Sequence, residues 1–507
     1  MKTIYHVIGA VLLTLVMNAQ APNIEWEKNL GGSSSDFGLS IRELSGGGYV
    51  AVGSTESNDG DVSGNHGDKD IWMVLLDSNG NLVNQFTYGG SGEDRANDVR
   101  QTQDGGFVIA GYTDSNDGDV GNSLGNGDIW IVKTDASGTI MWEKTFGGSD
   151  FEEAHSIQQI SSGEYVVVGT TKSTDIGIPS LGGEDVIFLR LNNAGNPELL
   201  KLYGGTSQDF GLKVEQTSDG GYIIGGFTFS NDGDVSGNHG SLDGWALKID
   251  GNTNPTIQWQ TCVGSNAAER IYDIIEHSNG NYIMVGYKND SSVIEAFIAT
   301  LNPDGSFLNS TTYGGSASES LYAVNEISNG DYIALGDTSS NDGDVNGNHG
   351  ANDFWALGFS SNGNLLWQNC FGGSSQQFGQ AITATADGGA ALCGFSIGTG
   401  GDVGGNNGSV DFWIVKLENP LPTNEFNVDE IVIYPNPAKD YFYINPGMQN
   451  PYHSQINVFD LKGKEIFKTS SLFSPYSIST SSWSPGIYFV HLTDITGQHF
   501  IEKLIVK

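Results

Sequence analysis

Along most of this chain, apolar residues either alternate with polar ones or run unbroken over short stretches, and they do not recur at the spacing of a helix. Residues 89–146 show the unit. Gly89-Gly90 opens it, and Ala96–Thr102 forms the first run. Phe107–Thr113 is apolar or small almost throughout, Asp128-Ile129-Trp130 begins a third run, and Met141–Phe146 alternates before the next pair, Gly147-Gly148. These four runs predict four strands. The second must be covered on both faces, and the fourth is half exposed at an edge. The second run recurs as Tyr49–Gly53, Tyr165–Gly169, Tyr282–Gly286 and Tyr332–Gly336. Its fixed glycine suits a place where backbones crowd, as near an axis. The third begins with an acid and usually a Trp, at Trp72, Trp130, Trp245, Trp355 and Trp413, and these are read as packing between units because they lie on strands.

The opening glycines fall at Gly31, Gly89, Gly147, Gly204, Gly264, Gly314 and Gly372, a period of 50 to 60 residues. A period of this order marks a propeller, solenoid or array, and four strands per unit describe a propeller blade. The ends complement each other. The last unit stops after its third run, Asp411–Leu417, while Ile24–Leu30 is a spare fourth run. Moving that strand into the last unit completes seven blades and removes exposed edges. The expected fold is therefore all-β, a seven-bladed β-propeller over residues 20–418 closed by the N-terminal strand.

Residues 419–429 read as a linker, with prolines at Pro420 and Pro422. Residues 430–507 are expected to form a small β-sandwich, with runs at Tyr441–Ile444, Gln455–Asp460, Glu465–Thr469, Tyr476–Ser479, Gly486–Leu492 and Phe500–Val506. Residues 1–19 read as a secretory leader: Lys2 precedes the apolar run Val7–Val16, with a cut after Ala19. No other run is long enough to cross a membrane, so no transmembrane helix is expected in the mature chain.

The net charge of −38 changes the picture of partners. Residues 430–507 are balanced at 6 acids and 6 lysines, so the excess lies upstream, where 54 acids face 15 bases outside the leader. Such a surface repels phosphate backbones and excludes nucleic acid as a partner, but it suits cations. Cys262, Cys370 and Cys393 occupy different repeat positions or non-neighbouring repeats and imply no disulfide framework.

Two sets of acids stand out. One follows the Gly-Gly pair: Asp36, Asp94, Glu152, Asp209, Glu269 and Glu319, with Gln377 as the exception. These either ring the channel mouth or cap local turns, and their presence in nearly every unit favours caps. The other set lies between the second and third runs. Asp59, Asp61, Ser63 and Asp70 stand at positions 1, 3, 5 and 12 of a loop with Gly64 at 6, the pattern of a twelve-residue calcium loop with Asp replacing Glu at its end. Asp232, Asp234, Ser236 and Asp243 repeat it, as do Asp342, Asp344, Asn346 and Asp353. Asp117, Asp119 and Asp128 keep part of it, and the seventh unit keeps less, Asp402 and Asp411. In the third unit Thr174 and Ile176 stand where the acids should be. Bound Ca2+ is expected on these positions, against the plainer reading of a Gly/Asn/Asp turn cluster. His66, His239 and His349 are read as solvated loop residues or contacts with a partner.

The repeats resemble those of a large group of bacterial secreted propeller proteins. The loops resemble the DxDxDG calcium loops of other propellers, such as integrin alpha chains. The tail closely resembles the C-terminal sorting domain of the type IX secretion system, through Tyr434-Pro435-Asn436-Pro437, Val458–Lys464, Pro485–Val490 and Lys503–Lys507. That resemblance implies passage across the outer membrane, the type IX machinery as a partner of residues 430–507, and a product that is secreted or anchored at the outer-membrane surface.

No nucleophile elbow, zinc spacing, phosphate loop or dinucleotide fingerprint occurs. A catalytic centre should be singular, whereas every prominent residue here has copies. The expectation is a non-enzymatic binding or adhesion module for a glycan or surface protein. The alternative is a secreted glycan-degrading enzyme of the glycoside hydrolase kind using acids of the loop face, where Glu152-Glu153 is the only adjacent pair at its position.

Overall fold

A computed structural model describes residues 21–290, 293–327, 330–419, 432–445, 453–469, 476–494 and 499–507. The leader at 1–19 and most of the linker, 420–429, lie outside the described residues. The chain divides into two compact units at residue 420. Among the described residues no helix is long and apolar enough to cross a membrane.

The first unit contains, among the described residues, seven four-stranded antiparallel sheets, the architecture of a β-propeller. The first sheet runs Asp36–Glu43, Tyr49–Thr55, Asp70–Leu76 and Leu82–Tyr88 in that spatial order. Five more sheets repeat it in chain order. In the seventh, Gln376–Ala384, Ala390–Ile397 and Asp411–Leu417 are joined on their outer side by Ile24–Leu30, with Asn29 opposite Trp413 and Trp26 opposite Lys416. The second strand of each sheet packs on the first strand of the next, and Ala390–Ile397 packs in the same way on Asp36–Glu43.

Burial follows the sequence pattern. Second strands such as Tyr49–Thr55 and Phe107–Thr113 are buried throughout, and fourth strands such as Leu82–Tyr88 are half exposed. The tryptophans fill the seams between sheets. Trp72 meets Phe412 of the seventh sheet at 4.6 Å between ring centres, and Trp413 meets Phe354 of the sixth at 4.5 Å. Burying each such ring contributes about 1.5–3 kcal/mol or more relative to exposure.

Each first strand carries a β-bulge: the register slips between Gly38 and Ser40, Ala96 and Asp98, Tyr272's neighbours Ile271 and Asp273, and at the equivalent place in every other sheet. The fixed glycine of the second strand sits opposite the slip. A Cβ on Gly53 would collide with the carbonyl oxygen of Phe37, and Gly286 stands in the same relation to Arg270. The crowding read from the sequence therefore comes from the bulged strand of the same sheet.

The second unit has sheets of three and four strands over one core that includes Phe442, Ile456, Val458, Val490 and Leu504. Asn436 ties its beginning to its end. Its amide donates to the Lys503 carbonyl at 2.7 Å, and its oxygen accepts the Ile505 N–H at 2.9 Å.

Candidate functional site

The Gly-Gly turns are held by carboxylates. The N–H groups of Gly31, Gly32 and Ser33 donate to three different acids: Asp61 at 3.2 Å, Asp36 at 2.8 Å and Asp59 at 2.7 Å. Gly89, Gly90 and Ser91 repeat this with Asp119, Asp94 and Asp117 at 3.3, 2.8 and 2.7 Å. Gly204, Gly205 and Thr206 do so with Asp234, Asp209 and Asp232, and Gly314, Gly315 and Ser316 with Asp344, Glu319 and Asp342. Asp36, Asp94, Glu152, Asp209 and Glu319 are thus buried caps, Glu269 instead accepts the Ser265 hydroxyl at 2.6 Å, and Gln377 does the work of a cap through its amide oxygen on Gly373 at 2.9 Å. Burial pushes Asp36, Asp94 and Asp209 above the ordinary carboxylate value. The Ser33 N–H holds exposed Asp59 below it. Asp175, not Thr174, occupies the first loop position of the third unit, because it accepts the Ser149 N–H at 2.9 Å as Asp59 accepts that of Ser33.

The remaining loop oxygens are placed apart from these. The Ser63 and Ser236 hydroxyls accept from the amides of Gln85 and Gln260 at 2.6 and 2.7 Å, and the Asn346 carbonyl accepts from Gln368 at 3.1 Å. Each of these glutamines also accepts an indole N–H, from Trp72, Trp245 and Trp355, at 2.9 Å. Asp70, Asp243 and Asp353 each accept a histidine backbone N–H through Oδ2 and lie 2.7 Å from Nδ1 of His66, His239 and His349. Those rings are therefore partnered within the loop rather than purely solvated. Asp128 accepts from Ser123 and Leu124 instead. The outer oxygens Oδ1 of Asp70, Asp128, Asp243 and Asp353 are buried without a hydrogen-bond partner. At one such seam a Cβ on Gly89 would lie 2.6 Å from Asp94 Oδ2 and 2.7 Å from Asp70 Oδ1, so the glycine makes room for two facing carboxylates. Among the described residues no group of three or more His, Cys, Asp or Glu converges to hold a metal ion.

The singular residues lie elsewhere, on the first strands, whose residues line a cavity of about 220 Å3. Its wall includes Arg42, Asp98, Arg100, Lys213, Glu215 and Asp273. Arg42 pairs with Asp98 at 2.7 Å, Arg100 approaches Asp98 at 3.5 Å, and Lys213 pairs with Asp273 at 3.0 Å. Burial works to raise Asp98, but Arg100, Arg42 and Lys213 outweigh it and hold the carboxyl at about 2. Burial lowers Arg42 to about 10 and raises Glu215. The sequence signal for these residues is the failure of the repeat: Arg42, Arg100, Gln158, Glu215, Ile275, Asn325 and Thr383 hold one position in successive copies.

Above them the rim is aromatic. Phe395 stands 5.1 Å from both Phe37 and Phe378, and Phe210 stacks on Phe227 at 4.5 Å. Arg95 lies over Tyr112 at 4.3 Å and Arg270 over Phe227 at 4.2 Å. Tyr272 sits 4.8 Å from Tyr322 and 6.1 Å from Tyr287. Glu153, which sequence adjacency paired with Glu152, accepts from Arg95 at 2.9 Å, while Glu152 caps Gly148 at 2.7 Å.

Residues 432–507 match the family described as the secretion system C-terminal sorting domain. Among curated proteins, similarity is found to an endo-acting ulvan lyase of Formosa agariphila, 31% identical over 85 residues, which are 17% of this chain and 16% of that protein. It is also found to the regulatory protein FlaEY of Caulobacter vibrioides, 24% identical over 209 residues, 38% of this chain and 21% of that protein. The matches span about a fifth or less of those relatives' lengths. Solved structures with a related course include the extracellular domain of the hybrid two component system BT4673 of B. thetaiotaomicron, at 10% identity over 96% of this chain and 60% of that chain, with a TM-score of 0.41. The Neurospora crassa Pan2 WD40 domain is similar at 10% identity over 77% and 95% of the two chains, with a TM-score of 0.43.

Proposed function

From a β-propeller exported by a type IX sorting domain at its C-terminus, we infer a binding module that works at the cell surface or in the medium and takes a glycan or protein ligand at the channel mouth. The supporting observation is the half-exposed aromatic rim, Phe37, Phe210, Tyr272, Tyr287, Tyr322, Phe378 and Phe395, above a polar cavity. Aromatic rings offer flat apolar faces that bind sugars and side chains at little entropic cost. In this reading the seven sheets are the blades of one closed ring, a reading supported by the pairing of Asn29 with Trp413. The protein is non-catalytic: the acids of the loop face are engaged as turn caps, which supports binding over hydrolysis.

Calcium on the loops stays part of the proposal on the spacing of Asp59, Asp61, Ser63 and Asp70 and their copies. The turn caps give the same loops a rigidity of their own. The binding reading is tested by screening the full chain on glycan and surface-protein arrays. Retention of a defined ligand, lost on replacing rim aromatics, is the expected result. Absence of any ligand, or turnover of a polysaccharide that stops when one acid is changed, would overturn it.

A further inference from the structure

Arg95 and Arg270 hold the same place in two first strands, opposite Tyr112 and Tyr287 of the adjoining second strands. Each guanidinium lies over a ring, Tyr112 at 4.3 Å and Phe227 at 4.2 Å. Their charges are met differently. Arg95 donates from Nε to Glu153 at 2.9 Å and from Nη1 to Glu93 at 2.8 Å. The positions equivalent to those two acids at Arg270 are Ser320 and Ala268. Arg42, Arg95, Arg100 and Arg190 each have a carboxylate within 4.0 Å, and among the described residues Arg270 has none. Its Nε is buried without a hydrogen-bond partner, whereas the Nε of Arg95 is the atom that meets Glu153. In a chain of net charge −38 acids are abundant, so the missing partner is particular to this site.

The cations nearby do not share this state. On the other aromatic part of the rim, Lys69 lies 5.6 Å from the Phe37 ring but pairs with Glu56 at 3.7 Å and Glu93 at 3.5 Å. Lys288 pairs with Glu269 at 3.7 Å. Asp337, opposite Ser320, accepts from Asn352 at 2.9 Å and lies beyond 4.0 Å of the Arg270 guanidinium. Arg270 is half exposed, as are Tyr272, Tyr287 and Tyr322 around it. Tyr272 stands 4.8 Å from Tyr322 and 6.1 Å from Tyr287.

We propose that Arg270 binds the carboxylate of a uronate residue in a glycan, in the role that Glu153 plays toward Arg95, with the sugar ring against the neighbouring tyrosines. This rests on the binding reading above and names its ligand. The carboxylate is selected by the protein's own example, since the same guanidinium position two ways occupied by acids in the second sheet has none in the fifth. The fork of an arginine matches a carboxylate bidentately. The ring is selected by the tyrosines. A uronate carries its carboxylate directly on the sugar, so pairing with Arg270 brings a flat ring to the aromatic faces. An Asp or Glu side chain of a peptide would bring only a methylene stem there. The acidic surface opposes any anion at long range, but charges beyond about 8 Å are largely screened at physiological ionic strength, so the local pair decides.

The test measures binding of the full chain to a uronate oligosaccharide, to the same oligosaccharide with its carboxyl groups reduced to alcohols, to a sulfated oligosaccharide and to an acidic peptide. The proteins are wild type, Arg270→Gln, Ser320→Glu and Ser320→Gln, with Tm recorded for each. Ser320→Glu gives Arg270 the acid that Glu153 gives Arg95, so it should close the site while holding Tm level or raising it. It decides the matter where Arg270→Gln loses stability. The expected result is binding of the uronate and not of its reduced form. That binding should weaken roughly tenfold or more in Arg270→Gln and Ser320→Glu, as for an arginine anchor, and less in Ser320→Gln. Uronate binding that survives both charge changes, or falls equally in the two Ser320 variants, overturns the role of Arg270 and leaves the module reading intact. Binding of the reduced, sulfated or peptide ligand in place of the uronate overturns the ligand class. Binding of none of the four overturns this inference, while the array screen decides the module reading separately.

Discussion

The indole of Trp413 donates to Glu27 at 3.1 Å, a bond between residues 386 positions apart. The same bond joins Trp130 to Glu143 at 3.0 Å within a single unit, 13 positions apart. The strand Ile24–Leu30 thus enters the seventh sheet as a chemical equivalent of the missing fourth strand. Trp26 completes the equivalence by packing on Tyr49 at 5.5 Å, as Trp142 packs on Tyr165 at 5.6 Å.

Removing residues 21–30 is therefore expected to expose the edge of Asp411–Leu417 and to drive self-association, because an unpaired strand recruits another. Size-exclusion chromatography with light scattering reads the association, and calorimetry the fall in Tm. Glu27→Ala is expected to cost about 1–3 kcal/mol, the range for losing a charged hydrogen-bond acceptor, without association.

Glycine at the seams is also open to test. Gly89→Ala places a methyl against Asp70 and Asp94, and overpacking of this kind costs about 1–3 kcal/mol. Gly105→Ala, where a Cβ would meet nothing within 4 Å but φ is +83°, is strained by its backbone alone. Urea unfolding of the two variants separates crowding from backbone strain, and m should stay constant in both.

The pH dependence has a definite sign. Asp411 and Asp337 are raised from 3.8 to about 6, by burial first, with the neighbouring Asp36 and Glu319 charges adding to it respectively. The folded state then binds more protons than the unfolded one between those values, so their contribution to stability is full below 3.8 and is lost as pH rises to about 6. Asp98, Asp104, Asp219 and Asp387 are lowered to about 2, and the stability they give is lost as pH falls from 3.8 to about 2. Tm is expected to peak between these two flanks and to decline toward neutrality. Asp411→Asn should flatten the upper flank. A Tm that climbs steadily from pH 4 to 7 contradicts the assignment.

Calcium and capping can be told apart on the same loop. An Asn side chain still offers an oxygen to the N–H groups of Gly31 and Ser33, but it loses the charge that holds a divalent cation. Millimolar calcium is expected to raise Tm of the wild type by mass action. Replacing Asp59 and Asp61 together by Asn, with the same change at Asp232, Asp234, Asp342 and Asp344, should abolish that rise while leaving the chelator-treated Tm nearly unchanged.

The channel pairs form a further target. Asp98→Ala leaves Arg42 without its 2.7 Å partner and Arg100 without its 3.5 Å one. Stranding a buried charge costs about 3–5 kcal/mol, and chemical denaturation should show the loss.

Strand content was legible because each run has its own burial signature: Phe107–Thr113 is apolar on both faces and Met141–Phe146 alternates. The third-unit loop was less legible. Asp175 follows Ser149 at the same spacing as Asp59 follows Ser33, but it stands one place closer to Asp185 than Asp59 does to Asp70, so counting back from the third strand lands on Thr174 instead. The channel was least legible. Repetition draws attention to Asp36 and its copies, most of which turn out to be caps, whereas Lys213 differs from every counterpart and Arg42 and Tyr272 recur only once each, as Arg100 and Tyr322. Their common orientation comes from the bulge, which sequence spacing does not encode.

That bulge gives the molecule seven positions outside its ladders. The inserted residue in each first strand, from Leu39 through Asn97, His155, Leu212, Tyr272 and Tyr322 to Gln380, has no opposite number across the ladder to constrain it. Asn97 and His155 hydrogen-bond their surroundings, so swapping one of the other five alters a single tile of the cavity wall, and a library built on those five codons could retune recognition without rebuilding the scaffold.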